Sequence, residues 1–144
     1  MAKGIAKGLS ESDGVVFQTA PAGKYQGRVT KVEDCKSGTT GKHPGTPMVK
    51  VDIRLQDDDP VISAMSVSQY MMLPYADWMD EEDNRKQLAA MARMYTALGL
   101  QLEDDEYDTD DWMGEELTVV VTQKEYPVGS GTMVNNISDV LPAE

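Results

Sequence analysis

Apolar and polar positions alternate without a break over residues 49–56. Val49, Val51, Ile53 and Leu55 fall on one side, and Met48, Lys50, Asp52, Arg54 and Gln56 on the other. A period of two over this length predicts a half-buried strand of an antiparallel sheet. A partner strand is expected over residues 25–33, with Val29 and Val32 apolar. Gly27 inside it signals a bulge or a tight bend, as at a barrel corner. The Gly-, Thr- and Lys-rich stretch 35–47 joins the two strands. Residues 22–55 therefore read as an amphipathic hairpin, and the other elements are read around it.

Three acids and a proline at 57–60 form a turn, because Asp favours turn conformations and Pro ends a strand. Residues 61–70 read as a third strand, with Val61, Met65 and Val67 inward and Ile62, Ala64, Ser66, Ser68 and Tyr70 outward. The apolar stretch 71–79, interrupted by Pro74, is expected to fold onto the core, with Tyr75 and Trp78 as packing residues. Asp80 is a strong N-cap, and Glu81, Glu82 and Asp83 suit the positive end of a helix dipole. Leu88, Met91, Ala92, Tyr95 and Leu98 follow at helical spacing, and Gly99 stops the helix. The acidic stretch 103–111 reads as a solvated loop. Its Asp104, Glu106 and Asp108 alternate like the start of an EF-hand loop, but Thr109 stands where that loop needs Gly. A strand over 117–122, a Gly-rich loop over 123–134 and a last strand over 135–141 complete the chain.

The succession strand, strand, strand, helix, strand, strand predicts a mainly β protein. It is the succession of the OB-fold, a five-stranded Greek-key barrel with one α-helix between strands 3 and 4. The order alone also fits another small barrel or a sandwich. Ligands of the OB-fold lie across strands 2 and 3, between the loop after strand 1 and the loop after strand 4. Residues 1–21, rich in Gly, Ser, Ala and Lys, are expected to form a flexible arm, with the apolar group at 15–17 packed on the barrel. Residues 22–144 are expected to be a single OB-fold-like domain, within the usual size of one core.

Charge sharpens the picture. The formal net charge is −12, but residues 1–56 hold nine Lys or Arg against five acids, and residues 57–144 hold four against twenty. The halves thus carry +4 and −16, the pattern of a basic face opposed by an acidic one. A merely acidic, well-solvated surface explains the charge equally well. On the hairpin, Arg28, Lys31, Lys50 and Arg54 lie on or beside the exposed face, and the loop adds Lys36, Lys42 and His43. The single Cys35 leaves no internal disulfide and fits a reducing compartment. With no apolar run long enough for a span or a leader, a cytoplasmic location and no membrane contact are expected.

The frame AGKY-x-G-x-V, the loop KSGTTGK, the strand MVKVDIRL, a helix ending ALGL, the strand WMGEELTVVV and a closing N-x-I at Asn135 to Ile137 resemble one family. They are similar to the small OB-fold single-stranded-DNA-binding proteins of phage replication and recombination modules, over residues 16–142. The resemblance implies cooperative, sequence-tolerant binding that protects single strands. Many members also carry an acidic C-terminal tail that recruits partners, and a homo-oligomer is expected here because only 6% aromatic residues leave each binding site thin. Here the chain ends ISDVLPAE, so recruitment of replication or recombination proteins is assigned instead to the acidic segment 103–111.

Single-strand binders need cations along the backbone path and aromatic faces for the bases. Arg28, Lys31, Lys36, Lys42, Lys50, Arg54 and Lys124 are candidates for the first, with His43 beside them. Tyr70 and Tyr126 are candidates for the second, with Tyr25 a third unless its phase relative to Val29 turns it into the core before Gly27 bends the strand; the sequence leaves both placements open. Catalysis finds no support: Cys35 and His43 share one loop without a third group to orient them, and together they cannot complete a tetrahedral zinc site. No Walker-type phosphate loop is present. The protein is read as non-enzymatic, without cofactor or metal. The alternative is a structural or interaction protein of a phage, a virion or assembly component built on a small β-barrel.

Overall fold

The computed structural model describes residues 2–6, 10, 19–36, 38, 45–74 and 80–144. Among them the protein is mainly β, with strands β1 (Gly23–Lys36), β2 (Pro47–Gln56), β3 (Ser66–Met72), β4 (Glu116–Glu125) and β5 (Met133–Pro142). All five join one antiparallel sheet in the order β3-β2-β1-β4-β5. Helix α2 (Glu81–Ala97) lies in sequence between β3 and β4. No helix among the described residues is long and apolar enough to cross a membrane.

The alternation in β2 is realised residue by residue. Val49, Val51, Ile53 and Leu55 are buried, while Arg54 and Gln56 are exposed and Lys50 and Asp52 half-buried. Strand β1 is longer than the expected 25–33. Its first half pairs with β4 over residues 23–28, and it pairs with β2 over residues 26–36, so the strand serves two neighbours in turn. The register slips between Val29 and Lys31, leaving Thr30 as a bulge. Such a bulge bends the strand and increases its twist. Gly27 is a point of close approach two residues earlier: a Cβ there would stand 2.5 Å from Ile53 Cγ2 and 3.3 Å from the Arg54 carbonyl oxygen.

Two elements differ from expectation. Residues 60–63 are not strand but a single helical turn, α1 (Pro60–Ser63), and β3 begins only at Ser66. Asp59 caps this turn, accepting from the Val61 N–H at 2.9 Å, and Pro60 occupies the first helical position, where its missing N–H costs nothing. Local capping thus overrides the strand preference of Val61 and Ile62. The alternation of β3 keeps its expected phase, with Val67 buried and Tyr70 outward, and Met71 is buried as the strand runs on. In α2 the buried stripe is Met91, Met94 and Tyr95, continued by Ala97 and Leu98, whereas Leu88 and Ala92 are exposed. The helix start is as expected: the Asp80 side chain accepts from the Asp83 N–H at 2.8 Å. Gly99 takes φ +70, which ends the helix in the left-handed region open to glycine.

The core lies between the inner sheet face and α2. Trp112, fully buried at the end of a 3₁₀ turn (Thr109–Trp112), packs edge-on against Tyr95, with ring centres 5.9 Å apart at 81°. Tyr25 packs inward, and its hydroxyl donates to the Pro21 carbonyl at 2.6 Å. Ala20, expected within the arm, is buried: its N–H donates to Asn135 Oδ1 and its carbonyl accepts from Gln123 and Asn135. The domain is therefore tied to its N-terminal segment just before β1. Residues 15–17, Tyr75 and Trp78 lie outside the described residues.

Candidate functional site

The outer face of β1, β2 and β3 is built in cross-strand rows. Arg28 faces Arg54 and then Ser66; Lys31 faces Asp52 and then Ser68; Glu33 faces Lys50 and then Tyr70. Five of the candidate residues, Arg28, Lys31, Lys50, Arg54 and Tyr70, share this face. Lys36 stands exposed at the end of β1, opposite Pro47. Lys42 and His43 lie outside the described residues.

The register also sets acids against these cations. Arg28 is ion-paired with Glu116 on β4, Lys31 lies 3.6 Å from Glu33, and Lys50 lies 3.8 Å from Asp52. Asp52 in turn accepts from the Ser68 hydroxyl at 2.6 Å. Arg54 Nε donates to the Ser63 carbonyl at 3.0 Å, which holds the guanidinium against α1. The face is thus a lattice of ion pairs, exposed at Arg28–Glu116 and Lys31–Glu33 and half-buried at Lys50–Asp52, rather than a bare basic surface. The two exposed pairs are worth about 0–1 kcal/mol each, so an anion can displace their carboxylates at little cost.

At one side of this face a groove of about 560 Å³ runs between β3 and the β4–β5 hairpin. Ser66, Ser68 and Tyr70 line one wall; Lys124, Tyr126 and Asn136 belong to the other. Tyr70 is 59% exposed and Tyr126 63%, so both rings are free to meet a flat ligand. Lys50 Nζ stands 5.9 Å from the Tyr70 ring centre. The groove therefore gathers Tyr70 from β3 and Lys124 and Tyr126 from the end of β4, two distant parts of the chain, with Lys50 adjoining. Met133 and Asn136, which line the hairpin side, were not among the sequence candidates. Only the closing N-x-I pattern hinted at that strand.

A second, smaller hollow of about 380 Å³ includes Arg28, Arg54 and Asp57 at the other end of the rows. Burial, and then the carboxylates of Glu33 and Asp34, push the Cys35 thiol above its usual value against the opposing pull of Lys50. Cys35 is thus held as the neutral thiol beside the face. Nothing in these arrangements sets a nucleophile against a base; the surface offers cations, stacking rings and hydrogen-bonding hydroxyls and amides. Set against known protein families and against curated protein sequences, the chain matches none of them.

Proposed function

We propose that this chain binds single-stranded DNA with little sequence preference, using the groove between β3 and the β4–β5 hairpin and the sheet face beside it. The observation that carries the reading is the placement of Tyr70 and Tyr126, two exposed rings lining one groove, with Lys124 on its wall and Lys50 next to Tyr70. Rings of this kind accept any base by stacking, while neighbouring cations follow the phosphates. In a phage replication or recombination module such binding would protect exposed strands.

The strand order supports an OB-fold-like barrel as the scaffold. Strand β1 pairs with both β2 and β4, the helix falls between β3 and β4, and the two ends of the sheet, β3 and β5, come into contact. The Thr30 bulge supplies the bend that curling a five-stranded sheet requires. In such a barrel the ligand crosses strands 2 and 3, where Lys50, Arg54 and Tyr70 stand.

The test is a titration of fluorescently labelled dT oligonucleotides at low and moderate salt. Binding is expected, and log K should fall with log salt by roughly 0.7 for each phosphate neutralised. Lys50→Glu with Arg54→Glu should weaken binding for all sequences and flatten that slope. No anisotropy change at micromolar protein would leave an ordinary wet sheet face, and the chain would then read as a structural or interaction protein. Tighter binding to the matching RNA would move the assignment to RNA.

A further inference from the structure

A different groove, on the opposite chemistry, lies between α2 and the turn at residues 103–106. It measures about 610 Å³. Leu88, Met91, Leu102 and Tyr107 give it an apolar lining, and Leu88 and Leu102 remain exposed rather than joining the core. Its rim is Asp104, Asp105 and Glu106. Glu103 and Glu106 bridge, which makes the two aspartates the left-handed corner of a tight turn, with φ +54 and +58. No Lys or Arg occurs between Arg93 and Lys124, and the cations at the start of α2 are engaged, Arg85 by Glu81 and Lys86 by Glu82. Among the described residues the rim's negative charge is therefore not answered locally. Asn84, on the same lining, carries a buried Oδ1 with no hydrogen-bond partner among the described residues.

We propose that this groove seats the N-terminal arm of a second copy of the chain. The arm begins MAKGIAK, an apolar residue between lysines. In an extended segment Lys3 and Ile5 project to one side, about 7 Å apart. Ile5 then enters the apolar floor while Lys3 meets the carboxylate rim. Ile5 is 102% exposed, so it is not seated on its own chain. From Ala20, where the chain is tied to β4 and β5, fifteen residues back to Ile5 span up to about 50 Å, enough to reach a neighbour. The arm and the groove thus complement one another in charge and in apolar content, and exchange of arms links protomers head to tail. This inference stands independently of the nucleic-acid reading.

The experiment is sedimentation of the full-length protein over a wide concentration range, at low and high salt, together with cross-linking of a mixture of isotopically heavy and light chains. Reversible association that weakens with salt is expected, with cross-links from Lys3 to the 103–106 turn that join heavy to light chains. Ile5→Asp, which lies outside the core, should raise the dissociation constant at least about tenfold, as should Leu88→Glu on the groove. Lys3→Glu should weaken association, and adding Glu106→Lys to it should restore part of the loss. A protein that stays monomeric at every concentration overturns the proposal. So do cross-links confined to chains of one mass, which would mean that the arm seats on its own chain, and so does association indifferent to Ile5→Asp.

Discussion

Lys50 Nζ stands 5.9 Å from the centre of the Tyr70 ring, its cross-strand partner in the β2–β3 register, and 3.8 Å from the Asp52 carboxylate. One ammonium is thus shared between an aromatic face and an acid. On the proposed nucleic-acid reading these two neighbours have opposite effects. Tyr70→Ala removes a stacking face and should weaken dT binding by about 1–3 kcal/mol. Asp52→Asn frees Lys50 and removes a charge that repels phosphate, so binding should tighten by up to about 1 kcal/mol and the salt slope should steepen. Anisotropy titrations of both variants decide the matter. Weaker binding by Asp52→Asn would mean that the Ser68–Asp52 hydrogen bond, and not Lys50, organises this row.

A second relationship tests how tightly the sheet is packed where β1 bends. Gly27 leaves room for the Ile53 methyl, which would stand 2.5 Å from an added Cβ. Gly27→Ala should therefore destabilise by about 1–3 kcal/mol, the usual cost of overpacking. Ile53→Ala alone should cost about 2–5 kcal/mol, since Ile53 is fully buried. The double variant should cost clearly less than the two together, because each substitution removes the other's problem. Urea unfolding of the four proteins measures the coupling; strict additivity would mean that the backbone yields instead.

Much of the fold is legible in the chain because its strongest signals are local. The four apolar positions of β2 and the Asp80 cap of α2 each depend on neighbours a few residues away. At residues 60–63 two local signals competed, and the Asp59–Pro60 start of a helical turn prevailed over the β-branched pair that follows. The buried stripe of α2 was misplaced by part of a turn, since Leu88 fits the helical period yet lines a groove rather than the core. The candidate residues could be named from the sequence, but not how the fold arranges them. Tyr70 and Tyr126 come together only through the fold. The ion pair of Arg28 with Glu116 crosses from β1 to β4 and leaves no trace in local sequence. Counting cations on one strand therefore overstates how basic the face is.

Tyr25 supplies a pH dependence whose sign is fixed by its surroundings. Burial first, and the Asp57 carboxylate second, raise its phenol above the usual 10.0, and the hydroxyl donates to the Pro21 carbonyl. A group with a raised folded value favours the folded state in its protonated form. That contribution is complete below pH 10 and is lost as the pH climbs through the raised value. Tyr25→Phe has no phenol to ionise, so its stability should fall less steeply on the alkaline side. Near neutrality it should be less stable than the parent by about 0.5 kcal/mol, the low end for a hydrogen bond at a partly exposed site. Urea midpoints at neutral and alkaline pH test both statements, and identical alkaline slopes would remove Tyr25 from the account.

Among the described residues Trp112 is the largest fully buried side chain, and its indole Nε1–H has no hydrogen-bond partner there. Two effects therefore oppose one another on substitution. Trp112→Phe loses ring volume in the core, but it keeps an aromatic edge against Tyr95 and removes an orphan donor whose burial costs about 1–3 kcal/mol. Trp112→Ala loses the ring contacts altogether and should cost about 3–5 kcal/mol. The phenylalanine variant should thus retain most of the parent's stability, within about 1 kcal/mol, and a cycle with Tyr95→Leu should show that the edge-on contact survives. Thermal and urea unfolding followed by far-UV circular dichroism avoid reliance on the indole itself. A Trp112→Phe cost close to that of Trp112→Ala would mean that the indole N–H is bonded after all, and that its donor helps to fix the 3₁₀ turn beneath the sheet.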